Sequence, residues 1–282
     1  MGNNPNPRTT CLQGEPGCGK SMMACLTTPY KPIYVMDIDR KIRSAFWAND
    51  AITKGDLIVW ELSEPVDETN LVSRLRALTT EQTKQGPTVR PKGFVTWAEQ
   101  VYKLPEIAKQ TPFGTVLIDS LTILNEHIKS MIMYDAKRSK FTFDQWSALK
   151  IGWMDTFSFL RDLCRENGWD LIVTVHERVK EEPGDRTTGI KIESGMTAAG
   201  EITQVKIPQG TQDVKVWASI DGAFGDLIGA QCDEYYHLYV EMNNNKEPKW
   251  RCRIHPDGRR SLRTSFKHTE SVFDCDFRRI WK

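Results

Sequence analysis

Eight consecutive residues, Gly14-Glu15-Pro16-Gly17-Cys18-Gly19-Lys20-Ser21, carry the densest chemistry in this chain. They spell G-x-x-x-x-G-K-[ST], in which glycines let the backbone curl until successive N–H groups point at one anion. A helix opening at Ser21 adds its partial positive end to the same point. Lys20 is then expected to reach the β- and γ-phosphates of a nucleoside triphosphate, and the Ser21 hydroxyl to ligate Mg²⁺. The flanks agree, since Thr9 to Gln13 is an apolar-tinged strand candidate and Ser21 to Leu26 a helix candidate. ATP and Mg²⁺ are the expected ligands.

Three further strand-like runs end in polar groups: Ile33–Met36 at Asp37-Ile38-Asp39, Thr115–Ile118 at Asp119-Ser120, and Leu171–Val175 at His176-Glu177. In open α/β sheets a ligand lies beyond the carboxyl ends of the strands, so these groups are expected to converge on it. Asp119 closes a buried-type strand and is a Walker-B candidate, holding Mg²⁺ together with Ser21. Hydrolysis needs a base or water-orienting group near the γ-phosphate. Asp39 is the first candidate and Glu177 the second, while His176 is positioned to sense the γ-phosphate and couple it to the loop that follows.

The elements that must position these groups alternate. After Ile33–Met36 comes a second β-rich run, Leu57–Trp60, then a polar stretch over 64–112 read as a surface excursion, with helical spacing from Thr96 to Lys109. A helical pattern follows Ser120 (Leu121, Leu124, Ile128, Ile132), and another runs from about Asp144 to Asn167 with Gly168 as its cap. Residues 180–212 lack a core pattern and read as a mobile loop or β-ribbon. Phe224 to Gln231 reads as a helix, and Glu234–Met242 and Lys249–Ile254 as strands joined by an Asn-rich turn. Alternating strands and helices predict a mainly parallel sheet covered on both faces, with late antiparallel strands.

Bulk properties exclude some classes. At 282 residues and a formal charge of +1, the chain suits one large α/β domain and not a globally basic nucleic-acid coat. No run approaches the roughly 18 apolar residues of a membrane span. Residues 1–7 are polar and read as a floppy leader, not a signal peptide. Seven cysteines without framework spacing suggest reduced thiols and the cytoplasm. Cys252, His255, His268 and Cys275 are the one set to weigh as zinc ligands, and their spacing favours scattered core and surface residues.

The loop Gly14–Ser21, the strand Ile33–Asp39, "TVLIDSLTIL" from Thr115 and "LIVTVHE" from Leu171 together resemble the RecA-like P-loop ATPase core, on its phage-type, single-strand annealing branch. The resemblance covers residues 8–265, leaving 266–282 as a tail. It implies an α/β fold in which the "VTVHE" strand lies between the Walker-A and Walker-B strands, with His176 beside the γ-phosphate. The catalytic carboxylate, commonly glutamate, ends the strand after the phosphate-loop helix; the matching residue is Asp39, whose side chain is shorter. The resemblance also implies a homo-oligomer, filament or ring, acting on single-stranded DNA in the cytoplasm of a phage host, with a single-strand-binding protein or other recombination partner. An ATP-dependent motor or loader, or a nucleotide switch with little turnover, are the alternatives.

Two loops are then expected to contact DNA, at 135–143 and 180–212. Lys137, Arg138 and Lys140, with Phe141 and Phe143, suit backbone charge plus base stacking. From Lys246 to Lys282 eleven Lys/Arg stand against five Asp/Glu. Arg260 or Arg263, after the Pro256-Asp257-Gly258 turn, are candidates for a basic residue acting in a neighbour's nucleotide site. Phe273, Phe277, Ile280 and Trp281 are expected to dock on the chain's own core.

Overall fold

A computed structural model describes residues 4–63, 91–138, 140–181, 190–196, 202–208, 214–220, 224–243, 245–256 and 261–281. Its centre is a sheet built from β1 (Thr9–Gly14), β2 (Ile33–Asp37), β3 (Leu57–Glu61), β4 (Thr115–Asp119), β5 (Asp170–Glu181), β9 (Glu234–Met242), β10 (Pro248–Arg253) and β11 (Val272–Asp274). The order among the described residues is β11-β10-β9-β1-β5-β4-β2-β3. Every pairing from β9 to β3 is parallel, and β10 and β11 close the other edge antiparallel. β5 therefore lies between the phosphate-loop strand β1 and the acid-bearing strand β4, as the resemblance implies. The fold is α/β, a mainly parallel central sheet with antiparallel strands at one edge.

The sequence specifies this layering directly. Central strands β1, β2 and β4 are buried at every position, and alternate residues feed two cores. Cys11, Tyr34, Met36, Val116, Ile118, Leu171 and Val173 point to one face, while Leu12, Ile33, Val35, Leu117 and Ile172 point to the other. Such two-sided burial is what a parallel sheet requires. The helices are α1 (Lys20–Thr27), α2 (Asn49–Thr53), α3 (Gly93–Gln110), α4 (Leu121–Asp135), α5 (Phe143–Glu166), α6 (Phe224–Gln231) and α7 (Phe277–Ile280). The first face is covered by α3 to α6, the second by α1, α2, β10 and α7.

Four expectations need correction. Residues 64–90 lie outside the described residues, but 93–110 is no excursion. Trp97, Val101 and Leu104 bury one stripe of α3 in the core, and Pro105 does not end the helix. Residues 266–282 are not a tail, since β11 extends the sheet and Phe277 and Ile280 are fully buried behind α1. The β5 strand does not stop at His176 but runs on to Glu181, where it pairs antiparallel with β8 (Val214–Ala218). Within 180–212, β6 (Ile190–Met196) and β7 (Ile202–Pro208) form an antiparallel ribbon, which is the second of the two forms expected there.

The leader is the fourth. Residues 1–3 lie outside the described residues, but Asn4 is buried, with its side chain on Asp170 Oδ1 at 2.8 Å; the Arg8 amide donates to the same oxygen at 2.8 Å. Asp170 Oδ2 is buried without a donor. Burial pushes the Asp170 carboxyl up to about 6, against the bonds from Arg8 and Asn4. The native state then holds a proton between about pH 4 and 6 that the unfolded chain has released, so stability falls as pH rises through that window. The shift corresponds to roughly 3 kcal/mol. Asp170→Asn, which keeps an acceptor for Arg8, is expected to flatten this part of the stability–pH curve and to raise stability at pH 7 relative to wild type. Urea midpoints measured from pH 4 to pH 8 check it.

One length matters for function. Helix α5 has 24 residues, about 36 Å at 1.5 Å per residue. Its last turn meets the start of β5, where the Trp169 amide donates to the Cys164 carbonyl at 2.9 Å. Midway, Trp153 donates to Asn125 Oδ1 at 2.8 Å and stacks on Phe224, beside the carboxyl ends of the strands. The first turns of α5 and the loop before them therefore project past that edge, where the phosphate loop also lies.

Candidate active site

β1 delivers Gly14 to the carboxyl edge of the sheet, and the chain turns into α1 through Glu15–Gly19. A side chain at Gly14 would strike the Leu238 carbonyl oxygen and the Cys18 thiol, so close packing against β9 requires glycine. Gly19 adopts φ +92°, in the left-handed region that glycine tolerates. Lys20 is buried and folds back over the loop, its Nζ donating to the Gly14 and Glu15 carbonyls at 2.8 Å each. Its third ammonium proton is directed at Cys18 Sγ, 3.7 Å away, so all three are held by the loop. Pro16 and Gly17 form the wall, and Cys18 packs beneath it, its thiol pushed up by burial against the opposing pull of Lys20.

Ser21 donates from Oγ to Asp119 Oδ2 at 2.6 Å, and Thr174 on β5 donates to Asp119 Oδ1. Asp119 is almost fully buried, which raises its carboxyl above the ordinary value. The bonds from Ser21 and Thr174 and the charge of Lys20 oppose that rise. Two hard oxygen donors from strand β4 and helix α1 thus meet beside the lysine, the donor chemistry Mg²⁺ prefers. Ser21 and Asp119 fit the expected metal.

Asp39 follows β2 and hangs over the same cleft. Its backbone N–H and that of Ile38 donate to the Asp119 carbonyl at 3.2 and 2.7 Å. Ser120 Oγ donates to Asp39 Oδ1 at 3.0 Å, and Lys41 Nζ lies 3.4 Å from Oδ2. Ser120 is also the N-cap of α4, accepting from the Ile123 amide. Asp37, by contrast, turns inward to accept from the Lys41 and Ile42 amides and is structural. His176 faces the cleft, with its backbone N–H on Thr122 Oγ1 at 2.9 Å. Burial and then Lys20 lower its pKa below the usual histidine value, so the ring is neutral at pH 7. A neutral imidazole offers one donor and one acceptor to a phosphate oxygen or a water.

Lys20, Ser21, Asp39, Asp119 and His176 thus line one cleft of about 590 Å³, a size within the ligand-pocket range. Glu177 does not join them. Neighbouring residues on a strand face opposite ways, and Glu177 turns to the far side of the phosphate loop, where its Oε2 is 2.8 Å from His237 Nε2. The second candidate base is withdrawn from the cleft by the period of β5 itself. Arg260 lies outside the described residues. Arg263 forms a bridge to Tyr235, which pairs with Cys11 of β1, about three residues (roughly 10 Å) back from Gly14. It lines no part of its own chain's cleft. Lys137, Arg138 and Lys140 are exposed on the α4–α5 loop.

Cys252, His255, His268 and Cys275 gather into no metal-holding group among the described residues. Cys252 is buried in β10, and His268 Nε2 sits 2.6 Å from the Ile280 carbonyl oxygen.

No family model matches the chain, and no curated protein does. Among solved structures it is similar to the flagellar accessory protein FlaH from Methanocaldococcus jannaschii at 13% identity, covering 87% of this chain and 76% of that one, with a TM-score of 0.36. It is similar also to a KaiC-like protein from the hyperthermophilic archaeon Pyrococcus horikoshii at 11% identity, covering 92% and 82%, with a TM-score of 0.41. Likenesses this distant add nothing to the strand order and geometry above.

Sequence pattern misses several supports. Thr174 and Thr122 position the cleft's polar groups alongside the expected Ser120, and the aromatic residues Phe46, Trp47 and Trp250 line its mouth. For the hydroxyls, the available signal is their position on or just after strands that carry functional groups. Trp250 has none, because it comes from an antiparallel strand far away in the chain.

Proposed function

We propose that this protein binds ATP with Mg²⁺ in the phosphate-loop cleft, hydrolyses it, and acts on single-stranded DNA in phage recombination or annealing. The supporting observation is the convergence of Lys20, Ser21, Asp119 and Asp39 from α1 and two strand ends into one cleft. Lys20 and the loop amides neutralise the phosphate charge, and Ser21 and Asp119 hold the metal, which supplies further electrostatic stabilisation of the transferred phosphoryl group. Asp39, oriented by Ser120, positions and deprotonates the attacking water. His176 answers to the γ-phosphate at the residue where β5 leaves the main sheet. Among the described residues no helix is long and apolar enough to cross a membrane.

The DNA reading draws on the α4–α5 loop. Lys137, Arg138 and Lys140 are exposed, Phe143 is 84% exposed, and Phe141 meets Trp146 at the start of α5 in a tilted ring contact of 4.6 Å. Cations next to the exposed rings of Phe143 and Trp146 suit a single strand, whose phosphates and unpaired bases both need partners. The loop projects past the same edge of the sheet as the phosphate loop. Homo-oligomerisation, as a filament or ring with Arg260 or Arg263 reaching a neighbour's site, belongs to the same proposal, as does work in the host cytoplasm beside a single-strand-binding protein or another recombination partner.

A second reading, a nucleotide switch with little turnover, is favoured by one observation: both Asp39 oxygens already have partners, in Ser120 and Lys41. ATP turnover with and without single-stranded DNA, alongside electron microscopy, decides. The expected result is stimulation together with filaments or rings. Replacing Lys137, Arg138 and Lys140 by alanine is expected to abolish the stimulation, keep basal turnover, and lower the salt slope of DNA binding by about 2. Stimulation by duplex or a protein partner alone would make it a motor or loader; tight binding without turnover would make it the switch.

A further inference from the structure

Past the phosphate loop the cleft opens into an aromatic lip that phosphate and metal chemistry leave unused. Phe46, in the turn before α2, is 88% exposed, and Trp47 beside it is half-buried. Across from them Trp250 of β10 is 39% exposed. All three line the same cleft as Lys20 and Ser21. The Trp250 indole lies directly over Gly19: a Cβ there would come within 2.9 Å of its Cδ1. Glycine at this position therefore serves both the turn of the loop and the seating of an aromatic ring at the entrance to α1.

Core packing accounts for Trp47, which rests on the buried cluster around α1, but not for the exposed ring beside it. A phenylalanine so exposed does nothing for stability, and two segments about 200 residues apart bring their rings to one mouth. The rest of that end is lined by Met22, Ile42 and Ala45. Asp39, a carboxylate of the same cleft, already holds Ser120 and Lys41. The cation there, Lys41, is paired with Asp39.

We propose that the lip is a nucleobase bench, which rests on the phosphate-loop reading above: a purine attached to the bound triphosphate stacks on Trp250 and against Phe46 or Trp47. The base is held by its π-face and not by its hydrogen-bonding edge. Every base has such a face, so adenine and guanine nucleotides are accepted alike. The site takes purine nucleoside triphosphates as a class.

Calorimetric titration with the Mg²⁺ complexes of ATP, GTP and inorganic tripolyphosphate tests this on wild type, Phe46→Ala and Trp250→Ala. Wild type is expected to bind ATP and GTP within about threefold of each other, and both at least about tenfold tighter than tripolyphosphate. Each variant is expected to weaken ATP and GTP together by about tenfold and to leave tripolyphosphate unchanged. Phe46→Ala removes a solvent-exposed ring, so it remains informative even if Trp250→Ala folds poorly. An ATP-over-GTP preference above about thirtyfold would overturn the stacking-only bench, because it requires edge reading. Nucleotide affinities unmoved in both variants, or tripolyphosphate binding as tightly as ATP to wild type, would overturn the bench and leave the phosphate loop standing. Wild type binding neither ATP nor tripolyphosphate would overturn the phosphate-loop reading itself.

Discussion

Lys20→Ala is expected to lower ATP turnover by at least about a hundredfold and nucleotide affinity comparably, the scale on which preorganised charge stabilisation acts. Lys20 is the cation enclosed by the loop, and its ammonium is already aimed by the Gly14 and Glu15 carbonyls. No neighbouring cation among the described residues can replace it: Lys41 stands across the cleft on Asp39. The fold should survive. Alanine is the best helix former at the head of α1. The two abandoned carbonyls lose charge-assisted bonds worth about 1.5–3 kcal/mol each, part of which water recovers. Phosphate-release kinetics, calorimetry and a thermal melt measure the three quantities. A variant with turnover near wild type would mean that the phosphates bind elsewhere.

The second large effect separates stability from activity. Asp119 is a buried carboxylate whose ionised form is disfavoured by desolvation. An asparagine in its place keeps one acceptor and gains a donor. Ser21 and Thr174 are hydroxyls that can either give or take a hydrogen bond, so both contacts persist with one hydroxyl reversed. Asp119→Asn is therefore expected to fold with an unchanged or higher melting temperature. Without the carboxylate, Mg²⁺ loses its anionic partner, and turnover is expected to fall by about a hundredfold or more. The pairing of the two outcomes is the test: a variant that is active would end the metal role of Asp119, and one that is strongly destabilised would make it a structural residue.

Much of this site was legible because its chemistry depends on local spacing. The phosphate loop is eight contiguous residues, and Asp39, Asp119 and His176 each follow an apolar run whose length marks a buried strand. The same runs gave a mainly parallel sheet, and the resemblance put the β5 strand between β1 and β4; the rest of the strand order is seen only in the structure. What failed was side-chain direction and long-range partnership. Glu177 is next to His176 in sequence and on the opposite face in space, because a strand that continues keeps its period of two. Helix α3 carried its apolar stripe plainly, but the polar stretch before it drew the boundary too far. Docking of the C-terminal rings on the core is expected from their spacing, and Phe277 is fully buried there with Ile280. Their partner surface, the back of α1, is more than 200 residues away and leaves no mark in local pattern.

Strand β5 is held differently along its length. From Leu171 to Val173 it has neighbours on both edges, β1 and β4; past Glu177 it pairs with β8. The changeover falls at His176, whose amide is fastened to Thr122 in α4 and whose carbonyl accepts from the Ser219 amide after β8. A beam clamped at one end and carried by a single companion beyond the clamp has a fulcrum, and here the fulcrum is the residue that faces the nucleotide cleft. What His176 meets in the cleft therefore reaches the β5–β8 pair through its own backbone.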